Sequence, residues 1–324
     1  MNVPSRRDRP VLFLAGLGLG ALGMVTLAVS IPERWCSVEV SPDVHGIPDP
    51  AILAPRAFTV EYFGLTYKGN TRDFIDRRIL REGAYELYEL RFLEDALRVL
   101  ARPSPAFVDV GANTGVHMLY MANHATAVHA FEPFPPLVER LREQVAINHL
   151  SHVVVHPEGL GAEAAQLPFF MPEEANLGTG TFVASGGQGR SAQTLRIVRG
   201  DDALAPELDV AAIKIDVEGY EKPVLKGLAK TLERCQPVVA MELNQGNEMS
   251  FRSLEELRAA FPAGYRFAQI SVIGARWIGG YALEELTQWP RGSGLNIAAF
   301  PGESSAALFQ LGERAAAASP RPGD

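Results

Sequence analysis

From residue 107 onward, short apolar runs alternate with amphipathic stretches, and this alternation constrains the fold more than any other feature of the chain. Strands are expected at 107–110, 127–131 and 153–156, with helices at 116–123 and 135–148 between them. That order predicts a parallel sheet with right-handed crossovers, because a twisted strand feeding a helix packs back onto its sheet only with that hand. Strands at 212–216, 238–243, 265–270 and 296–300, with helices around 221–232 and 254–261, extend it to a doubly wound α/β sheet. Ahead of it, 58–67 reads as a hairpin, and Leu87, Leu90, Leu93, Leu97 and Leu100 recur at helical spacing before Pro103. Residues 167–197 hold Gly178, Gly180, Gly186, Gly187 and Gly189 among few bulky side chains, so a long mobile loop over a site is expected there.

In an open α/β sheet, ligands bind beyond the carboxyl ends of the strands, and the first strand-to-helix turn meets the ligand's polar part. The segment 107–115, FVDVGANTG, occupies that turn. Gly111 and Gly115 permit a sharp turn and a close approach to a ligand, while Asp109 can take hydrogen bonds from the turn or attract a cation. The spacing Gly-x-x-x-Gly departs from the G-x-G-x-x-G of dinucleotide sites and favours a methionine-bearing nucleoside over NAD. Glu132 closes the second strand about 20 residues after the first glycine, where an acid can accept both ribose hydroxyls. The alternative makes Asp109 a turn-stabilising carboxylate and Glu132 a solvated strand end. Glu158, after the third strand in His-Pro-Glu-Gly-Leu, is a candidate for contact with a nucleobase, although a plain turn explains the same residues.

A second block, AIKIDVEGYE at 212–221, sends Lys214, Asp216 and Glu218 off one strand end together. With DVGANTG, FEP at 131–133 and the region of Asn148, it resembles the FkbM family of S-adenosylmethionine-dependent methyltransferases over roughly residues 107–300. The resemblance implies a class I (Rossmann-like) methyltransferase fold with a closing antiparallel strand at 296–300. It also implies S-adenosyl-L-methionine as cofactor and methylation chiefly of a hydroxyl on a sugar, glycolipid or small metabolite. By motif, Asp109, Gly111, Asn113, Gly115 and Glu132 would hold the cofactor, and Lys214, Asp216 and Glu218 would face the transferred methyl or the acceptor. Asp216 is the first candidate for base or acceptor anchor; Lys214 can instead pair with it and lower its pKa, and a purely structural ion pair is the bland alternative. A metal-assisted variant would take oxygen ligands for Mg²⁺ from Asp216, Glu242 and Asn244. His117, His124, His129, His149 and His152 lack ligand spacing and read as packing or surface residues. Two rival functions remain open: a catalytically silent nucleoside-binding module, and an NAD-linked oxidoreductase on a similar sheet.

A formal net charge of −8 argues against a chain that grips nucleic acid through its phosphates, which leaves a small-molecule or glycan acceptor as the expected partner and the oligomeric state open. The two cysteines, Cys36 and Cys235, form neither a disulfide framework nor a cysteine zinc site. Residues 11–31 carry no charge and are long enough to cross a bilayer, so they read as a single transmembrane anchor or an uncleaved signal. Arg6, Arg7 and Arg9 lie in the basic flank 1–10, and the positive-inside rule then puts the body outside a cytoplasm in which the cofactor is made; the side of the catalytic domain stays open. The remaining divisions are a linker at 32–57, accessory elements at 58–106, a methyltransferase domain at 107–301 and a flexible tail at 302–324.

Overall fold

The computed structural model describes residues 56–173, 176–274, 279–292 and 294–317; the basic flank, the apolar run at 11–31 and most of the linker lie outside them. Among the described residues no helix is long and apolar enough to cross a membrane. A hairpin of β1 (Ala57–Tyr62) and β2 (Leu65–Asn70) leads to α1 (Phe74–Glu82) and α2 (Leu87–Leu100). The expected alternation follows as β3 (Ala106–Val110), α3 (Val116–Ala122), β4 (Ala127–Phe131), α4 (Pro135–Ile147) and β5 (Val153–His156). Next come β6 (Gly159–Gly161), β7 (Ala165–Phe170), β8 (Ala192–Arg199), α5 (Gly200–Ala203), β9 (Val210–Ile215), α6 (Glu221–Gly227) and α7 (Ala229–Cys235). The chain continues through β10 (Val238–Leu243), α8 (Leu254–Ala259), β11 (Tyr265–Ile273), β12 (Gly280–Glu285), β13 (Leu295–Pro301) and α9 (Ser305–Ala317).

Eight of these strands make one sheet in the order β12-β11-β13-β10-β9-β3-β4-β5. From β10 to β5 every neighbour is parallel, and β13 runs antiparallel between β10 and β11. This is the class I methyltransferase-like arrangement, with β13 as the closing strand and β12 an additional antiparallel edge. Both faces are covered, so the strands read as nearly unbroken apolar runs with alternate residues in different cores. Phe107, Ala212 and Ala240 point to the core shared with α2 and α3, whereas Val108, Val110, Ile213 and Ile215 point to the opposite one. Asp109 and Lys214 occupy the first set of positions, and β3 and β9 place them side by side in register. Two charged side chains therefore stand on a buried face under α2 and α3.

Three stretches depart from expectation. Only the ends of the loop expected at 167–197 are strand, β7 pairing antiparallel with β8 and β6 completing a separate three-stranded sheet, while the described residues between β7 and β8 hold two short 3-10 turns. Two of its glycines make room for rings: a Cβ on Gly180 would lie 2.2 Å from Phe169, and one on Gly187 2.0 Å from Phe170. Low side-chain bulk there reflects packing against aromatic faces. The tail expected at 302–324 is instead helical over Ser305–Ala317, because Leu308 is buried and Phe309 meets Phe300 edge-on at 5.7 Å. The single helix expected at 221–232 is divided between α6 and α7, at the point where a Cβ on Gly227 would meet the Gly161 carbonyl at 1.9 Å. Asn148 ties the hairpin down, accepting from the Thr66 amide at 2.7 Å and donating to the Thr66 carbonyl at 2.8 Å.

Candidate active site

Beyond the carboxyl ends of β3, β4 and β9 lies a cleft with about 960 Å³ of free space, its open mouth included. The turn after β3 forms one wall. Its course is fixed by the Gly111 and Ala112 amides, which donate to the Phe131 carbonyl at 2.9 and 3.1 Å. Gly111 and Asn113 line the cleft, whereas Gly115 sits behind it at the amino end of α3 and Asp109 is buried beneath it. Gly111 and Gly115 both hold a positive φ, at 83° and 89°. The close approach at Gly111 is to the chain itself, since an added Cβ would lie 1.8 Å from the Asp216 carbonyl oxygen.

Glu132 stands at the end of β4 and also lines the cleft. Its carboxylate accepts from the Asn113 amide and from the Phe134 amide, each at 2.9 Å, so its orientation is fixed by backbone before any ligand arrives. Burial pushes its pKa up to about 7, against the pull of the Phe134 and Asn113 amides. Opposite, Leu137, Leu160, Phe169, Phe182 and Tyr220 supply an apolar wall. The segment 176–180 closes over one side, where the Leu177 amide donates to Asp73 at 3.1 Å. Glu158 does not line the cleft; its carboxylate accepts from Arg196 at 3.2 Å.

Lys214, Asp216 and Glu218 all line the same cleft. Lys214 is buried and donates to Asp216 Oδ2 at 2.9 Å, while the Asp216 side chain keeps about a third of its surface exposed. Burial alone would lower the Lys214 pKa, but Asp216, Glu89, Glu86 and Asp109 together hold it above the ordinary lysine value. Burial works to raise the Asp216 pKa, and the Lys214 charge and hydrogen bond overcome it, leaving the carboxyl below its usual range. Glu218 has the opposite character: burial, then the Asp216 and Glu221 charges, push it up to about 8. Glu242, from the neighbouring strand, is pushed up to about 9 by burial and then by Asp216 and Glu218. Asp216, Glu218 and Glu242 come together with donor oxygens within 4.8 Å of one another, and Asn244 donates to Glu242 at 2.7 Å.

The cleft also contains residues that the spacing of the sequence did not single out. Glu86 and His117 line it, and Glu89 lies buried behind them. The signals were present: two glutamates three apart opening a helix, and a histidine two residues after the glycine turn.

Residues 109–267 match the family described as "Methyltransferase FkbM domain". That match covers just under half of the chain and marks a segment similar to the methyltransferase FkbM domain. It is 29% identical over 172 residues to the hexuronic acid methyltransferase AglP of Haloferax volcanii, an alignment covering 51% of this chain and 68% of that protein. It is 30% identical over 159 residues to Methyltransferase 1 of Beauveria bassiana, covering 42% of this chain and 64% of the other. Among solved structures, the FkbM methyltransferase of Methylobacillus flagellatus aligns with a TM-score of 0.38 at 18% identity, over 61% of this chain and 44% of that one. The chain thus spans about two thirds of the curated relatives and under half of the solved one.

S-adenosylmethionine is the cofactor of this domain. The residues fit it. Asn113 Oδ1 and Thr114 Oγ1 are buried on the cleft wall without hydrogen-bond partners, an arrangement that a polar ligand relieves. Asp109 is likewise buried with neither carboxylate oxygen satisfied, and burial pushes its carboxyl up against the pull of His117 and Lys214. Beside them are a fixed acid at the second strand and an apolar wall of ring size.

The raised carboxyls have a consequence for stability. Glu86, Glu132, Glu218 and Glu242 all titrate above the free glutamate value of 4.5, at about 8, 7, 8 and 9. A carboxyl raised by the fold favours folding fully below its unfolded pKa, and that contribution disappears as pH climbs through the folded value. The ligand-free protein is therefore expected to melt at a lower temperature at pH 9 than at pH 6 in a fluorimetric scan. An equal or higher melting temperature at pH 9 would show that these groups ionise freely in the fold.

Proposed function

We propose that this protein transfers a methyl group from S-adenosylmethionine to a hydroxyl of a sugar or glycan. The observation that carries the reading is the division of one cleft. Glu132, set by two backbone amides, lies on the side of the β3 turn, and Lys214, Asp216 and Glu218 lie on the side of β9. When bound, the cofactor supplies an electrophilic methyl on a sulfonium. The protein then has two tasks: to hold a hydroxyl oxygen in line with that methyl, and to take its proton. Asp216, kept ionised by Lys214, anchors a hydroxyl by accepting its hydrogen bond. Glu218, a carboxyl poised near neutrality on the same wall, accepts the proton. Asp109, Gly111, Asn113, Gly115 and Glu132 serve the cofactor, the first and fourth from behind the wall; Glu158 has no place in the cleft from which to do so. A carbohydrate acceptor draws support from the similarity to a hexuronic acid methyltransferase.

Calorimetry with S-adenosylmethionine and with NAD, followed by methyl transfer onto a panel of neutral glycosides and hexuronic acids, tests this. Binding of S-adenosylmethionine and an O-methylated product are expected. NAD binding alone would point to an oxidoreductase, and cofactor binding with no turnover on the panel to a silent nucleoside-binding module. Glu132→Ala removes the acceptor for ribose hydroxyls and frees two amides, so affinity for S-adenosylmethionine is expected to fall by about 10- to 100-fold, the size of one or two charge-assisted hydrogen bonds. Unchanged affinity in that variant would remove Glu132 from the cofactor site.

Mg²⁺ at Asp216, Glu242 and Asn244 is a second reading of the acidic wall, supported by the proximity of Asp216 and Glu242. Loss of turnover on chelation, restored by Mg²⁺, is what it requires. The proposal also treats residues 11–31 as a single-pass membrane anchor, on the strength of their uncharged length. A topology reporter at the carboxyl terminus would assign the catalytic domain to one side of the membrane.

A further inference from the structure

The inner wall of the cleft holds a group of side chains that the methyl-transfer reading does not use. Glu86 precedes α2, Glu89 lies in its first turn, and His117 is the second residue of α3. A carboxylate oxygen from each glutamate and an imidazole nitrogen all lie within 4.8 Å of one another. His117 and Glu89 are 5% and 1% exposed. His117 Nε2 and both Glu89 carboxylate oxygens have no hydrogen-bond partner, and Nε2 stands 3.6 Å from Glu89 Oε2. Leaving even one buried polar group unpaired costs about 1–3 kcal/mol, and a charged one more. Three such atoms converge on one point here.

Nearby cations do not resolve this. The hydrogen bond of Lys214 goes to Asp216, so Lys214 reaches the glutamates only through space. Asp109 adds a further buried carboxyl with both oxygens unsatisfied beneath the same turn. The missing component is a compact positive charge able to accept an imidazole lone pair and a carboxylate lone pair from each glutamate.

We propose that Glu86, Glu89 and His117 bind a divalent first-row transition ion. Metal–ligand bonds of about 2.0–2.2 Å at tetrahedral angles put donor atoms about 3.3–3.6 Å apart; His117 Nε2 and Glu89 Oε2 already stand 3.6 Å apart, and the three donors lie within 4.8 Å of one another. An imidazole among the donors selects Zn²⁺, Co²⁺, Ni²⁺, Fe²⁺ or Mn²⁺ over Mg²⁺ and Ca²⁺, which prefer oxygen alone. Two carboxylates balance the double charge of the ion, leaving the Lys214–Asp216 pair neutral beside it. Glu86 and His117 face the cleft, so an ion enters from there and keeps its remaining coordination positions toward it, open to water or an acceptor oxygen.

The test uses the full chain, stripped with chelator, and the metal alone. Co²⁺ titrated in the absence of S-adenosylmethionine is expected to bind at one ion per chain with visible absorption bands, and Zn²⁺ is expected to displace it while Mg²⁺ does not. Because no cofactor or acceptor is present, failure here leaves the methyl-transfer reading untouched. His117→Gln and Glu89→Gln are each expected to weaken Co²⁺ binding at least about 10-fold, as loss of a ligand does. Glu158→Gln, which alters a carboxylate outside the cleft, is expected to leave stoichiometry and affinity as they were. If either ligand variant misfolds, wild-type melting decides: the midpoint rises with Zn²⁺ if the site exists, and a midpoint indifferent to Zn²⁺ overturns it. Absence of Co²⁺ binding to the wild type, or binding unchanged in His117→Gln, overturns the proposal as well.

Discussion

Glu218→Gln is expected to lower kcat by about 10²- to 10⁴-fold, the range assigned to a positioned general base, with affinity for S-adenosylmethionine nearly unchanged. The choice between Glu218 and Asp216 rests on their surroundings. A base is effective when its pKa lies near the working pH, and a carboxylate held by a buried ammonium has lost most of its basicity. Asp216 is in the second position, with Lys214 at 2.9 Å and a carboxyl held below its usual range. Glu218 is in the first, pushed up to about 8 by burial and then by Asp216 and Glu221. Its backbone adopts a φ of 51°, unusual for a residue with a side chain, and the Thr181 hydroxyl donates to its carbonyl at 2.9 Å to hold that conformation.

The pH dependence follows with a definite sign. A base works ionised, so kcat rises as pH climbs toward the Glu218 pKa of about 8 and levels off above it. A cationic ligand in the same cleft favours the carboxylate and pulls the midpoint downward. In Glu218→Gln the rise should vanish. Asp216→Asn is expected to act differently, raising KM for the acceptor and lowering turnover while the alkaline rise remains. A rise that persists in Glu218→Gln and is lost in Asp216→Asn would reverse the two assignments.

The parts of this site that the sequence displayed are those set by local periodicity. The strands ending at Val110, Phe131 and Ile215 are short apolar runs broken by glycine or charge, so the pattern of the sequence alone places the residues at their ends together. Glu132, Lys214, Asp216 and Glu218 are all at such ends, and all line the cleft. Glu158 also follows a strand, but its side chain is drawn outward to Arg196, whose place opposite it depends on the pairing of β6 with β8. That pairing joins residues far apart in sequence, and two of the glycines between, Gly180 and Gly187, look like loop residues although their room is filled by the β7 rings of Phe169 and Phe170. Glu86, Glu89 and His117 escaped for a related reason: the spacing along the chain links only the two glutamates, and His117 meets them because α2 and α3 cover the same face of the sheet.

A second large effect is expected at the turn itself. Gly111→Ala should destabilise the protein by about 3 kcal/mol or more, since it combines a left-handed backbone with a clash against main chain. The two contributions can be separated inside this molecule. Gly64 has nearly the same φ, 82° against 83°, and a Cβ there would meet nothing within 4 Å. Gly64→Ala therefore bears only the cost of the left-handed conformation, about 1–2 kcal/mol. At Gly111 the added Cβ would fall 1.8 Å from the Asp216 carbonyl oxygen and 2.9 Å from its carbon, where no side-chain rotation gives relief. Relief requires moving β3 from β9 just where the Asp216 amide donates to the Val110 carbonyl at 3.0 Å. Urea unfolding of both variants measures the difference, and equal losses would mean that the strand ends are not in such close contact. Because the same crossing carries Asp216 and then Glu218 to the cleft, any Gly111→Ala protein that folds is expected to have lost turnover to a greater degree than cofactor binding. On the proposed division of the cleft, the glycine turn acts on the acceptor side through contact with its own chain.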